Sequence, residues 1–258
     1  MNHDTASSAS ALFLHGGPGL CTAMERQVYA DRLPVIWWDQ PRDRRTYEAL
    51  VAACAARLRA AVEQTGRPVP LLASSFAAHL ALDLSRTFQN EIASVTLLAG
   101  LPDLPRAFEQ MALFLIRSHR LGSLEAPLQA FQTQRSSREA LWGLIGALAS
   151  LPNYLDYIWA PSSASVRDQV RPVTQTADFM DGAVFQSVLD SFLDRPPPTL
   201  PISYRGPVTV ITGTFDPYAD LEADESAWRT QFPSAKCVRL ETGHLPHLEA
   251  SPALWLNL

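Results

Sequence analysis

The stretch from Pro70 to Ala81 constrains this chain more than any other. It opens on a short apolar run that reads as a buried strand and closes on an Ala/Leu-rich run that reads as a helix. Between them lies small-x-Ser-x-small: Ala73, Ser75 and Ala77. A strand that turns at once into a helix needs small residues two positions either side of the turn. The turn residue is then forced outward, at the carboxyl end of the strand and the amino end of the helix. Backbone N–H groups and the helix dipole favour a developing anion there. These are the mechanics of a nucleophile elbow. Glycine usually fills both small positions, and alanine carries a steric cost where glycine does not. A serine at an ordinary helix N-cap fits the same spacing.

The flanking chain supplies the frame. Ala11 to Leu14 is a short apolar run ending in His15-Gly16-Gly17-Pro18-Gly19, a loop that no helix passes through. Val35 to Trp38 is the next strand, stopped at Asp39-Gln40-Pro41. Thr46 reads as an N-cap, Tyr47 to Thr65 as a helix and Gly66 as its C-terminal cap. Val69 to Leu72 is the strand before the serine, Phe76 to Thr87 the helix after it, and Ile92 to Ala99 a further strand. This alternation predicts a mostly parallel α/β sheet with helices on both faces.

From Leu101 to Leu200 no strand pattern is evident. Pro105 to Leu121 reads as a helix, and Ser136-Ser137-Arg138-Glu139 fits a capping box that opens a helix to about Ser150. Asn153 to Trp159 is aromatic, Val184 to Leu193 is a further helix candidate, and the prolines of Asp194 to Pro201 read as a stiff connector. Strands resume with Val208 to Ile211, then Gly213-Thr214-Phe215-Asp216; a helix follows over Glu222 to Gln231, and the last strand is Cys237 to Leu240. The expected organisation is a core of residues 1–100 and 201–258, with residues 101–200 inserted as a helical cap.

Composition narrows the function classes. A length of 258 residues accommodates one domain with a sizeable insertion. The net charge of −5 carries no basic run, so nucleic acid is not an expected partner. Cys21, Cys54 and Cys237 make neither a disulfide framework nor a zinc site, and predict a reduced, cytoplasmic protein. Met1 to Ser10 is polar without a basic start, so no signal peptide is expected. The longest apolar run, Ala140 to Leu151, is too short to cross a bilayer, so no membrane partner is expected.

Ser75, Asp216 and His244 each follow the carboxyl end of an expected strand, the edge where ligands bind in an open parallel sheet. Ser…Asp…His is the chain order of a catalytic triad on such a sheet. A serine hydroxyl is a weak nucleophile and needs a base. His244 would take its proton and pass it to the leaving group; Asp216 would hold the imidazole tautomer. Asp216 alone also fits a turn-former before proline.

With those motifs in place, the chain resembles the α/β-hydrolase superfamily. His15-Gly16-Gly17-Pro18-Gly19 resembles the loop of its proline iminopeptidase branch. Asp39-Gln40-Pro41-Arg42, Gly213-x-x-Asp216 and Gly243-His244-x-Pro246-x-x-Glu249 resemble further motifs of that group in the same order. The resemblance implies the α/β-hydrolase fold, no cofactor, no metal and a small-molecule substrate. It implies an oxyanion hole made by the N–H groups of Gly17 and Phe76. Two departures stand out: at most one strand fits before Ala11, and the C-terminal helix is short. About six strands are expected, with an exposed edge through which a homodimer could form.

The substrate-binding candidates are Gly16, Cys21, Trp142, Tyr154, Tyr157 and Trp159, the aromatics as part of a roof over the pocket. Cys21 reads equally as a buried inert thiol. His15 is expected to hold backbone, His79 and His119 to pack on their helices, and His247 to lie in a loop. Glu25, Glu109, Asp178 and Asp181 could grip a substrate amine, as cap glutamates do in iminopeptidases, or sit on solvated helix faces. The first functional reading is a serine hydrolase of a small, largely apolar ester, amide or thioester. The alternatives are non-hydrolytic chemistry on the same fold (cyclisation, C–C cleavage or a lyase step), a prolyl aminopeptidase, and a binding protein.

Overall fold

The structure, a computed structural model, describes residues 11–196 and 201–256. The segment before Ala11, in which at most one strand and no leader are expected, lies outside the described residues, as do the centre of the proline connector and the extreme C-terminus. Six strands form one sheet: β1 (Ala11–Leu14), β2 (Val35–Trp38), β3 (Val69–Ser74), β4 (Ile92–Leu98), β5 (Val208–Gly213) and β6 (Lys236–Leu240). Their order is β2-β1-β3-β4-β5-β6 and every neighbouring pair is parallel. β1 is wholly buried and β3 nearly so, which requires helices on both faces. Edge strand β6 has only exposed and half-buried residues instead.

The chain leaves β1 toward β2 on one side and enters β3 on the other. The ends of β1 and β3 therefore flank a crevice where the direction of winding reverses, the place where such sheets bind ligands. Helix α1 (Ala23–Tyr29) follows β1, α2 (Tyr47–Thr65) follows β2 and α3 (Ala77–Thr87) follows β3. The Thr46 hydroxyl caps α2 by accepting the Ala49 N–H at 3.2 Å.

Between β4 and β5 the described chain contains no strand. It runs through α4 (Leu104–His119), α5 (Glu125–Thr133), α6 (Arg138–Ala149), α7 (Ala164–Thr174) and α8 (Gly182–Leu193), with short 3₁₀ turns among them. The cap of α6 is Ser137, which accepts the Ala140 N–H at 3.2 Å. This is one residue later than the Ser136-to-Glu139 spacing predicts, because the Ser137 N–H closes the preceding turn onto the Gln134 carbonyl. Helix α9 (Leu221–Gln231) follows β5 and α10 (Pro246–Glu249) follows β6. The sequence reading has no counterpart for α1, α5 or α7. The first is only two turns long; the last is polar, carries Pro172 and buries only Val170. α1 and α7 pack on each other, so tertiary contact supplies what helical periodicity lacks. No helix among the described residues is long and apolar enough to cross a membrane.

Candidate active site

Ser75 sits directly after β3, two residues before α3 begins at Ala77. Its φ is 53°, in the left-handed region that a non-glycine residue occupies at a cost. Two bonds hold that turn: the Ser75 N–H donates to the Leu98 carbonyl at 2.9 Å, and the Ser75 carbonyl accepts the Ala78 N–H at 3.1 Å. Ala73 and Ala77 are fully buried beside it, so the turn closes with alanine in both small positions. Ser74, the last residue of β3, is buried and borders the cavity, but the hydrogen-bond chain described below runs through Ser75.

His244 and Asp216 complete a chain of hydrogen bonds. The Ser75 hydroxyl lies 2.9 Å from His244 Nε2, and His244 Nδ1 lies 2.8 Å from Asp216 Oδ2. With the ring neutral and its proton on Nδ1, Nδ1 donates to the carboxylate and Nε2 accepts from the serine. The Asp216 side chain is wholly shielded from solvent, and its Oδ1 accepts the Tyr218 N–H at 2.9 Å. Each residue follows a strand's carboxyl end within four residues.

The glycine loop is braced against this centre. A Cβ on Gly16 would stand 2.9 Å from Ser75 Cβ, so only glycine lets the loop pass this close. His15 holds the backbone: its Nε2 accepts the Gln40 N–H at 3.1 Å and its Nδ1 donates to the Gly16 carbonyl at 2.8 Å. Burial pushes the His15 ring below its ordinary value, consistent with this neutral form. Asp39 Oδ1 accepts from Thr22, the backbone N–H at 2.6 Å and the hydroxyl at 2.7 Å. Burial disfavours the Asp39 carboxylate, but these bonds and Arg26 outweigh it and hold its pKa below the ordinary value. Among the described residues, no acceptor takes the N–H of Gly17 or of Phe76.

The segment after β6 is braced in turn by Glu249. Its Oε2 accepts the N–H of Gly243 at 2.9 Å and of Ala160 at 2.8 Å, and its Oε1 accepts that of Leu245 at 3.1 Å. The His244 N–H donates to the Ile158 carbonyl at 2.7 Å. One carboxylate thus ties the His244 loop to the helical insertion.

A cavity of about 560 Å³ opens above Ser75. Gly16, Gly17, Cys21, Phe76 and Tyr154 line it, together with His244. The Cys21 thiol donates to the Phe179 carbonyl at 3.7 Å. Three expected lining residues do not face the cavity. The Trp142 indole donates to Asp190 at 2.7 Å and packs on Phe185; the Tyr157 ring packs edge-on to His119; Trp159 is buried behind the wall, against a separate small void. Composition gives aromatic content and not direction, and the Trp142 and Tyr157 rings found partners within the insertion. The roof is built instead from apolar residues such as Leu104, Phe108, Leu151 and Phe185.

The carboxylates also part company. Glu109 is buried in pairs with Arg135 at 2.6 Å and Gln132 at 2.8 Å, away from the cavity. Asp181 caps α8, and the Val184 N–H holds it below its ordinary value. Asp178 is exposed. Glu25 is on no solvated face: it is buried, borders the cavity and lies 2.9 Å from His247. His247 is correspondingly no loop residue but a fully buried one on α10. His79 packs as expected, bonded to the Leu101 carbonyl at 2.8 Å, while His119 is exposed and meets the Phe114 and Tyr157 rings edge-on. Sequence reading missed Tyr218, which lines the cavity against His244; its position two residues past Asp216 was the available signal. Among the described residues, no three His, Cys, Asp or Glu side chains stand together as metal ligands.

No protein-family model and no curated protein matches the sequence. Solved structures do match. A proline iminopeptidase-related protein from Thermus thermophilus superposes with a TM-score of 0.65 at 22% identity, over 95% of this chain and 86% of that one. A thermophilic esterase from Thermogutta terrifontis superposes with a TM-score of 0.61 at 21% identity, over 95% and 86%. MenH from S. aureus gives 0.59 at 15% identity, over 98% and 93%. With its parallel sheet, its helices on both faces and these neighbours, the chain has the α/β-hydrolase fold.

Proposed function

We propose that the protein is a serine hydrolase that cleaves a small, largely apolar ester, amide or thioester. The observation that carries this reading is the unbroken hydrogen-bond chain from Ser75 through His244 to Asp216 at the floor of an apolar cavity. The Ser75 Oγ attacks the substrate carbonyl carbon as its proton passes to His244 Nε2. The electron pair of the carbonyl moves onto oxygen, where the free N–H groups of Gly17 and Phe76 receive it. The tetrahedral intermediate collapses, the bond to the leaving group breaks, and His244 hands that group the proton. Water then attacks the acyl-enzyme with His244 again as base, releasing the acid and restoring the Ser75 hydroxyl. Asp216 holds the Nδ1–H tautomer and stabilises the charged ring between these steps. Helices α4 to α8 act as a cap that roofs the cavity and excludes water.

The carboxylates favour this reading over a prolyl aminopeptidase. Glu109 and Asp181 are engaged elsewhere, and the two carboxylates that border the cavity are already paired, Glu25 with His247 at 2.9 Å and Asp156 with Arg171 at 3.1 Å. A fluorophosphonate probe tests the chemistry: it should label Ser75, and Ser75→Ala should abolish the label. Specificity is tested by comparing a proline-arylamide, its N-acetyl form and a series of p-nitrophenyl esters. Longer acyl chains should raise kcat/KM, because burial contributes about 25 cal/mol per Å² before ordering costs. A preference for the free amine of about a hundredfold, roughly 2.7 kcal/mol, would overturn the apolar assignment.

A further inference from the structure

Tyr218 and Tyr154 meet beside His244. The Tyr218 ring lies against the imidazole, with centroids 4.7 Å apart. Its hydroxyl is hydrogen-bonded to that of Tyr154, which comes from the 3₁₀ turn Tyr154–Ile158 of the insertion. Both residues line the cavity. Burial pushes both phenols well above their ordinary values, so both keep their protons at any pH at which a hydrolase works.

Two neutral phenols carry two O–H donors, and the bond between them uses one. Among the described residues, no third group accepts from either hydroxyl. One phenolic proton is therefore left over, in a wall made mostly of hydrocarbon. A buried donor without an acceptor is costly, and an oxygen brought by the ligand removes that cost. The apolar remainder of the cavity supplies affinity, and this spare donor supplies selection. Its position against His244 sets it beside the reacting centre rather than at the far end of an acyl chain.

We propose that the Tyr154–Tyr218 pair donates a hydrogen bond to a second oxygen of the substrate. The preferred substrates are then acyl compounds with a keto, hydroxy or ether oxygen near the scissile carbonyl, over plain alkyl acyl compounds. This selection deepens the hydrolase reading and rests on it for turnover, but the binding it requires does not depend on turnover.

The experiment has a binding arm and a kinetic arm. Binding of hexyl acetoacetate and of hexyl butyrate is measured by calorimetry on Ser75→Ala, which cannot turn them over. The oxygen-bearing ester should bind about tenfold tighter, the scale of one well-made hydrogen bond. Adding Tyr154→Phe and Tyr218→Phe should bring the ratio of the two affinities to about one. If the double replacement unfolds the protein, Tyr154→Phe and Tyr218→Phe are made singly, and the one that removes the hydroxyl whose proton reaches the ligand should lower that ratio at least about threefold. An affinity ratio near one in Ser75→Ala, or a ratio that the Phe replacements leave unmoved, overturns the proposal. The kinetic arm compares the kcat/KM ratio for p-nitrophenyl 3-methoxypropanoate and p-nitrophenyl pentanoate in the wild type and the double variant. Discrimination in binding with no hydrolysis of either ester would sink the hydrolase reading and leave the donor site standing.

Discussion

Glu25 Oε1 lies 2.9 Å from His247 Nε2, and both side chains are shut away from solvent. α1 follows the glycine loop and α10 follows His244, so the pair joins the two segments that flank Ser75. Glu25 Oε2 and His247 Nδ1 have no protein partner among the described residues. Removing either side chain strands the other in a buried site. Glu25→Ala and His247→Ala should each lower stability by about 3–5 kcal/mol, while an apolar double replacement, Glu25→Leu with His247→Phe, should cost less than either. Urea unfolding of the three variants checks this; additive losses would count against coupling between the two residues.

Asp216→Asn should leave the fold intact and lower kcat by roughly 10⁴, because the amide presents a donor where His244 Nδ1–H needs an acceptor. Ser75→Ala should cost at least about 10⁴ in kcat. Ser74→Ala should keep activity, since its side chain is buried in β3 and outside the hydrogen-bond chain. Steady-state kinetics with a p-nitrophenyl ester separates the three. An adduct on Ser74 would reassign the nucleophile.

Gly16→Ala would place a methyl group 2.9 Å from Ser75 Cβ, and the loop that carries the Gly17 N–H would have to give way. The expected loss is about 10²–10³ in kcat, the size associated with one oxyanion donor. KM should change far less. A variant with wild-type kcat would show that the loop does not position that N–H.

Acid should destabilise the protein partly through His79. Burial lowers its pKa from 6.5 to about 4, although the bond to the Leu101 carbonyl opposes the shift. The unfolded state therefore binds a proton first, and stability falls as pH drops from about 6.5 toward 4. The contribution lost is on the order of 2–3 kcal/mol. His79→Gln should flatten this part of the curve of Tm against pH. Asp224 works in the opposite direction: burial raises its carboxyl to about 6, so its share of stability declines as pH rises toward that value.

The strand ends were legible because their signals are local. A serine between two alanines at a strand-to-helix junction, glycines after β1 and an aspartate three residues past Gly213 all act within one turn of chain. Their order along the sequence then places Ser75, Asp216 and His244 on one edge of a parallel sheet, since every such strand ends on the same side. The brace around His244 was half legible: Glu249 stood in the motif, but its bond to Ala160 depends on how the insertion folds back.

The amino-acid order by itself determined which residues end the strands, that the sheet is mostly parallel and that a helical segment interrupts it. Only the tertiary structure decided which way the insertion's rings turn and which buried groups meet. Trp142, Tyr157 and Trp159 carry the same composition as Tyr154, yet three of the four point away from the cavity. Glu25 and His247 meet across 222 residues, and no period or spacing encodes that distance. Local chemistry sets a backbone's turns, whereas the facing of a side chain depends on everything packed against it, and that is settled when the insertion closes over the sheet.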